Sequence, residues 1–168
     1  MAHKWNINDD LIQGDKLLLW LVTGNTTADT DVLAYATSCS IQIDQETIDT
    51  SSKFSCRWNA TKGGRASYTI SADALYTNVS GVTSFDTLMA LMLKGDNVPW
   101  YIGQESGYTV DEDHSCEDNP HILDTTKPYY SGEAIINSLS LEAGNNEIAS
   151  CSILMTGSNS IVLHDNSN

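Results

Sequence analysis

Apolar and polar residues alternate in two stretches of the chain, from residue 38 onward in the segment 36–44 and throughout residues 67–74. Successive side chains of a β-strand point to opposite faces, so a period of two is typical of a strand with one face on a core. We therefore predict two half-buried strands here. Their apolar faces carry Cys39, Ile41 and Ile43 in the first strand and Tyr68, Ile70, Ala72 and Ala74 in the second.

Further strands are predicted from shorter apolar runs. Residues 17–22 form a continuous apolar run followed by a Thr, Gly and Asn loop, which is typical of a fully buried strand. Residues 98–102 predict another strand. Near the C-terminus, alternating runs at 134–143 and 147–155 are separated by a short glycine-containing loop, which indicates a β-hairpin. We interpret the glycine-punctuated stretch 51–65 as a loop or hairpin.

One helix is predicted, over about residues 85–94. Ser84 is a suitable N-cap, Asp86 places a negative charge in the first turn, and Gly95 follows the last turn. Apolar residues recur at helical spacing, and we interpret this stripe as core packing. The stripe consists of Phe85, Leu88, Met89, Met92 and Leu93.

The order of these elements predicts a mainly β fold, an antiparallel β-sandwich or barrel with one packed α-helix. The 168 residues are about the length of one ordinary domain, so we expect a single domain over residues 1–168. Within it, residues 103–132 predict an extended acidic loop. The polar residues 159–168 predict a flexible C-terminal tail.

The composition favours a turn-rich β protein with an acidic surface. Acidic residues outnumber basic ones by 22 to 8, which gives a net charge of −14. General binding to a nucleic-acid backbone needs clustered Lys and Arg, so this class of function is disfavoured. The N-terminus shows no apolar signal segment and no run is long enough to span a membrane, so we expect a cytoplasmic site of synthesis.

The four cysteines are scattered, without a CxxC pair, so the sequence predicts reduced thiols and no zinc ribbon. Metal binding is considered for His114, Cys116 and His121, which lie in an acidic stretch. An EF-hand loop starting at Asp111 requires a glycine where Cys116 stands, and a zinc site lacks a fourth ligand. We favour a solvated acidic loop without metal.

No recognised catalytic or cofactor-binding motif is present, so we expect neither an enzyme nor a cofactor. The sequence does resemble phage major tail tube proteins of the long-tailed phage type, over about residues 15–162. The segments that carry the resemblance are ATSCSI at 36–41, ETIDTSSK at 46–53, SYTISADALY at 67–76, YYSGEAIINSLSL at 129–141 and ILMTGS at 153–158.

This resemblance implies a structural virion protein that assembles six to a ring, with rings stacked into a tube that conducts DNA. The implied partners are other copies of the chain and tail proteins such as the tape measure, tail terminator and distal tail proteins, with no membrane contact. The implied location is the phage tail, assembled in the bacterial cytoplasm. The loop at 103–132 is longer and more acidic than in compact members, so it decorates the exterior or reaches the next ring.

Two groups of charged residues are candidate functional positions. A negative lumen wall would repel DNA phosphates, and Asp44 and Asp73 lie on polar faces of alternating strands, which makes them candidate lumen carboxylates. A basic cluster is interpreted as a contact to the acidic surface of a neighbouring subunit, in preference to a nucleic-acid site. The cluster consists of Lys53, Arg57, Lys62 and Arg65.

Two alternative functions stay open at this point. One is the inner tube subunit of a contractile, phage-derived injection system, which would have the same fold and a neighbouring sheath. The other is a glycan-binding or adhesion β-sandwich, to which the Trp and Tyr content would contribute.

Overall fold

The computed structural model describes most of the chain. The described residues are 14, 17–22, 30–33, 36–51, 58–76, 83–105 and 122–165. Eight strands and one α-helix lie within them. In chain order they are β1 (Leu17–Val22), β2 (Thr30–Val32), β3 (Ala36–Asp49), β4 (Thr61–Leu75), α1 (Phe85–Lys94), β5 (Val98–Gln104), β6 (Tyr129–Glu142), β7 (Ser150–Gly157) and β8 (Val162–His164).

All eight strands belong to one sheet, in which every pairing between strands is antiparallel. The order is β2-β1-β5-β6-β7-β4-β3, and β8 pairs with the first residues of β6. The long strand β6 connects the two halves of the sheet, because β5 pairs with residues 130–134 and β7 pairs with residues 134–142. The predicted fold class, mainly antiparallel β-structure with one packed helix, is confirmed.

The first strand is buried on both faces. Leu19 and Leu21 belong to the main core, whereas Trp20 points to the other face and is only 1% exposed. In a strand that is covered on both sides, the residues of both faces are buried, so apolar and polar residues do not alternate. The continuous apolar run of the sequence therefore corresponds to a fully buried strand, as predicted.

Helix α1 begins and ends where the sequence indicates. Ser84 is the N-cap, although its side chain makes no capping hydrogen bond, and Gly95 closes the helix in the left-handed conformation at φ 70°. The prediction that the whole apolar stripe packs on the core was wrong. Leu88 is buried and Phe85 and Leu91 pack against the core. The other apolar residues of the stripe lie on an exposed flank, and they are Met89, Met92 and Leu93.

Tyr68 of β4 contacts three other strands, β5, β6 and β7, through its ring and its hydroxyl group. The side chain lies over Gly157 of β7 and Gly132 of β6, and a Cβ atom at either glycine would overlap with it. The hydroxyl donates a hydrogen bond to the carbonyl of Glu133 and accepts one from the indole N–H of Trp100 at 3.4 Å. The two rings meet edge to face, with centroids 5.6 Å apart. The glycines leave room for this aromatic pair.

Strand β3 differs from its prediction as a half-buried strand. Cys39 is the only partly buried residue of its 14, and Ile43 is 60% exposed. The strand lies at the edge of the sheet and pairs only with β4 among the described residues. Alternation correctly indicated a strand with one apolar face, but no described element of the same chain covers that face.

The C-terminal hairpin is confirmed with shifted boundaries. The first strand begins earlier than expected, at Tyr129, and the second begins later, at Ser150. Asn146 lies in the turn between them at φ 67°, a left-handed conformation that asparagine tolerates better than most residues. A β-bulge between Ile136 and Ser138 shifts the register of the hairpin.

Part of the segment expected to be a flexible tail forms strand β8. His164 stacks on the ring of Tyr129 with centroids 4.4 Å apart, and its Nε2 lies 2.8 Å from the hydroxyl of Ser131. These contacts and the backbone pairing attach β8 to β6. In the part of the chain that the structure describes, no helix is long and apolar enough to cross a membrane.

Candidate functional site

Strands β6, β7, β4 and β3 form a four-stranded unit whose two faces differ in chemistry. Residues paired across antiparallel strands point to the same face, so the register assigns each side chain to a face. One face lies on the core. The other, which we call the polar face, contains Ser38, Ser40, Gln42, Asp44, Ser67, Thr69, Ser71, Asp73, Ile135, Ser138, Ser140, Glu142, Ser150, Ser152, Leu154 and Thr156. None of these residues is a cation, although Lys62 lies further along the same face, where it pairs with Ile48.

Asp73 accepts hydrogen bonds from both neighbouring strands. The hydroxyl of Ser38 in β3 donates to one carboxylate oxygen at 2.8 Å, and that of Ser152 in β7 donates to the other at 2.7 Å. Hydrogen bonds to an ionised carboxylate favour the charged form. The bonds from Ser152 and Ser38 therefore hold the pKa of Asp73 below its ordinary value of 3.8. The Asp73 carboxylate thus keeps its negative charge while its hydrogen bonds link β4 to β3 and β7.

Other polar side chains on this face also bond to one another. The hydroxyls of Ser40 and Ser71 lie 2.7 Å apart across β3 and β4. The amide of Gln42 donates to the carboxylate of Asp44 at 3.0 Å. Hydroxyl and amide groups that are paired in this way are held in place by their neighbours. The result is an ordered, mostly uncharged polar surface with carboxylates at a few fixed points.

The four-stranded unit has a free edge at each end. At one end β3 pairs with β4 alone among the residues that the structure describes. At the other end, residues 135–142 of β6 pair with β7 but have no strand on their second side within the described chain. Unpaired edges of this length present rows of backbone N–H and C=O groups to other chains. Both edges are therefore candidate assembly surfaces.

The structure places the predicted site residues as follows. Asp44 and Asp73 lie on the same polar face, in β3 and β4. Lys62 and Arg65 lie in the first residues of β4, where they are exposed and make no ion pair within the described chain. The other two members of the basic cluster, Lys53 and Arg57, lie outside the described residues.

The residues considered for metal binding also lie outside the described residues, so their arrangement stays a prediction. They are His114, Cys116 and His121. Among the residues that the structure does describe, no group of three or more His, Cys, Asp or Glu side chains is arranged to hold a metal ion.

Three residues of the polar face were missed by reasoning from the sequence. Ser38 and Ser152 escaped because their role depends on the register that sets them beside Asp73. Glu142 lies on the same face, opposite Ser150. The spacing of Ser138, Ser140 and Glu142 was a usable signal, but the bulge in β6 changes which residues share a face.

The aromatic residues give little support to a glycan-binding surface. Trp20 and Trp100 are buried in the fold, whereas Trp58 is 84% exposed. An open groove of about 450 Å³ includes Tyr101 among its lining residues. Glu133, which also lines the groove, bonds to Asn97 and Asn159 of the same chain. Its carboxylate is therefore already engaged.

These features define a class of protein: a β domain with two long open sheet edges and one polar face, suited to assembly by strand pairing. The chain belongs to the phage tail tube protein family, whose model matches residues 11–162. This is a family of structural proteins and not a class of enzymes. The family resemblance seen in the sequence is confirmed.

Solved structures of tail tubes have the same fold. A chain from the tail of an empty gene transfer agent particle, refined helically with C6 symmetry, is 18% identical with a TM-score of 0.66, and the match covers 90% of this chain and 98% of that one. The SPP1 tail tube is 8% identical with a TM-score of 0.67, covering 92% and 80%. A comparison with curated proteins found no match.

A tube from a contractile particle is similar as well. The sheath–tube complex of the extracellular contractile injection system PVC contains a chain that is 14% identical with a TM-score of 0.60. The match covers 94% of this chain and 93% of that one. Similarity at this level of identity establishes a shared fold, and the fold is common to contractile and other tubes.

Replacing Ser152 by Ala is expected to raise the pKa of Asp73, because the hydroxyl bonds to its ionised form. A carboxyl whose pKa is lower in the folded state stabilises the fold above its unfolded pKa, near pH 4. That stabilisation is lost as the pH falls through the lower, folded pKa. Carbon-13 NMR titration of the Asp73 carboxyl group measures the change.

The matched control is Ser71→Ala, because the hydroxyl of Ser71 meets Ser40 and not a carboxylate. This variant is expected to leave the pKa of Asp73 unchanged from that of the native protein. Unfolding measured against pH is expected to show a smaller loss of stability on acidification for Ser152→Ala than for Ser71→Ala. Equal titration curves for the two variants would contradict the assignment.

Proposed function

We propose that this chain is the subunit of stacked hexameric rings that form a phage tail tube, a conduit for DNA ejection. The observation that carries the proposal is the four-stranded unit β6-β7-β4-β3, which combines two free edges with a polar face. The edges supply the assembly contact and the face supplies the wall of the channel.

The directions of the strands favour pairing between copies. β3 is antiparallel to β4, β4 to β7, and β7 to β6, so β3 and β6 run in opposite directions. Placed beside the free half of β6 in a second copy, β3 extends the sheet with another antiparallel pair. The contact is head-to-tail, and such a contact generates a ring when the rotation between copies closes.

Ring closure would remove the exposed edges of every copy at once, as barrel closure does in a single chain. With four strands from each of six copies, the inner barrel would have about 24 strands, more than the roughly 16–18 that already enclose a water-filled channel in porins. The C6 symmetry of the gene transfer agent tail supports the choice of six copies.

The polar face is the surface that we assign to the lumen. Over residues 38–44, 67–73, 135–142 and 150–156, its charged members are the carboxylates Asp44, Asp73 and Glu142. Further along β3 and β4 the same face continues with Glu46 and with Lys62, which pairs with Ile48. Phosphate groups are attracted by clustered cations and repelled by carboxylates. DNA would therefore pass along this wall without binding to it.

The basic cluster is proposed to contact a neighbouring copy. Lys62 and Arg65 are exposed and make no ion pair within the described chain, while the chain as a whole has a net charge of −14. A cationic patch on an otherwise acidic subunit fits the acidic surface of another copy better than it fits DNA. The segment 103–132 was predicted to be one acidic loop, but its first residues belong to β5 and its last to β6. We propose that the acidic residues between these two strands lie on the exterior of the tube or reach the next ring.

The remaining partners follow from the function. We propose that the tube is assembled in the host cytoplasm and meets the tape measure, tail terminator and distal tail proteins, without a membrane contact and without a cofactor. The inner tube of a contractile injection system is the alternative, supported by the similarity to the PVC tube chain. Association with a sheath protein would distinguish the two.

Assembly of the purified chain is expected to give rings or tubes with an open channel in electron micrographs. Hydrogen exchange should then show which edges pair. Amides of β3 that point away from β4 are expected to exchange quickly in the monomer and at least roughly ten-fold more slowly in tubes, because each gains a backbone partner. Amides at residues 135–142 that point away from β7 should behave in the same way.

Strand β2 provides the internal control, because it lies at the other end of the sheet and is not assigned to the ring contact. Its outward amides should exchange at similar rates in the monomer and in tubes. Protection of β2 without protection of β3 would show that the wrong edges have been chosen.

The charge of the lumen can be tested with the double variant Asp44→Lys/Asp73→Lys. Native tubes are expected not to retain duplex DNA, whereas tubes of the variant should bind it, and the binding should weaken as salt is raised. DNA held in the lumen should resist nuclease. The control is Asp86→Lys/Asp96→Lys, which changes two exposed carboxylates, one in the first turn of α1 and one just after its last turn. Tubes of this control should bind DNA that nuclease still degrades.

The basic cluster can be tested with Arg65→Glu. This variant is expected to remain a folded monomer, because Arg65 is exposed, and to need at least several-fold more protein before tubes appear, because like charges would meet at the contact. Light scattering against concentration measures the threshold. Lys127→Glu is the charge-matched control, and an equal threshold for the two variants and the native chain would refute the contact.

A further inference from the structure

Two exposed apolar surfaces of the chain have no cover within the described residues. The first is one flank of α1, formed by Met89, Met92 and Leu93, of which Leu93 is 77% exposed. The second is the apolar face of β3, formed by Ile41 and Ile43. Contiguous apolar side chains at a protein surface mark a site of contact with another molecule.

Both surfaces lie on the same side of the sheet. Ile41 pairs with Ile70 of β4, and paired residues share a face. Ile70 belongs to the same core cluster as Leu88 of α1. The apolar face of β3 and the helix are therefore on the core side, opposite the polar face. They are located at opposite ends of the four-stranded unit, because β3 is its last strand and α1 packs on β6.

The helix runs along the half of β6 that has a free edge. At its start, the ring of Phe85 contacts Tyr76, which lies just beyond the end of β4. At its end, the chain turns into β5, whose Val98 pairs with Ala134 of β6. Between these points α1 packs on β6. Because its two ends lie near the end of β4 and near Ala134, we infer that it follows the half of β6 that has the free edge. A strand added to the free edge of β6 would come to lie next to the helix.

We propose that α1 of one copy covers the apolar face of β3 of the next copy, with Met89, Met92 and Leu93 packing on Ile41 and Ile43. This inference rests on the proposed function, because it requires β3 to pair with the free half of β6. The pairing brings the two surfaces to the same side of one continuous sheet. Each then covers apolar area that the single chain leaves in water.

The distribution of side chains around α1 indicates one neighbour, on one side. The flank opposite Met89 and Met92 carries Thr87 and Lys94, which are polar. A helix covered by two equivalent neighbours would be apolar on both flanks. Methionine also suits such a contact, since its flexible side chain fits irregular surfaces.

Photo-crosslinking tests the contact directly. Copies with p-benzoylphenylalanine in place of Leu93 are mixed with an excess of isotopically labelled native chain, so that native copies support assembly. After irradiation of tubes, mass spectrometry is expected to locate crosslinks from position 93 at residues 39–43 of a labelled copy. The same probe in place of Thr87 is the matched control, and it should give at least several-fold fewer crosslinks to β3.

The outcomes separate this inference from the proposed function. If the native chain forms no rings or tubes, the proposed function is wrong, and the helix contact that rests on it is wrong as well. If tubes form and crosslinks from position 93 map to another element, or fall within the same copy, the helix contact is wrong while the tube stands. If the probe at position 93 keeps its copies out of tubes, the reciprocal probe at Ile43 must crosslink to residues 89–93, and its failure to do so overturns the contact.

Discussion

The constraint on which this structure depends is the need of backbone N–H and C=O groups for partners. Within the described part of one copy, the sheet leaves a row of such groups unpaired along β3 and a second along residues 135–142 of β6. A soluble domain usually protects its edges with charge, proline, bulges or short strands. Here β3 has 14 residues, and the strands that the structure describes pair with it along one side only. Such an edge no longer offers unpaired backbone groups for aggregation once another strand pairs with it.

Opposite faces of the same strands meet different physical demands. On the core side, Tyr68 and Trp100 fill the space over two glycines, which locks the strands together and fixes their register. Register then decides what faces the other side. Because Asp73 is set between Ser38 and Ser152, its charge is held by donors from two strands. Packing on the core face therefore fixes which polar side chains lie together on the opposite face.

Much of this fold was predictable from the sequence, for identifiable physical reasons. Periodicity located β1, β3, β4 and the helix, since burial on one or both faces leaves a pattern in the chain. It failed where apolar residues of the pattern are not covered within one copy, and where contacts depend on strand register. Ile43 and Leu93 have the pattern of core residues but are exposed in the single copy. The hydroxyl partners of Asp73 lie 35 and 79 positions away along the chain, so no local signal identified them.

Net charge alone does not make a surface suitable for sliding DNA, because the position of each charge decides what a phosphate meets. The polar face combines a few carboxylates with many neutral hydroxyl and amide groups, several of which bond to one another. A wall of free hydroxyls would offer donors to phosphate oxygens, whereas hydroxyls that already have partners offer fewer. The carboxylates add repulsion at fixed points. If this face lines the lumen as proposed, it would hold DNA away without needing uniform negative charge.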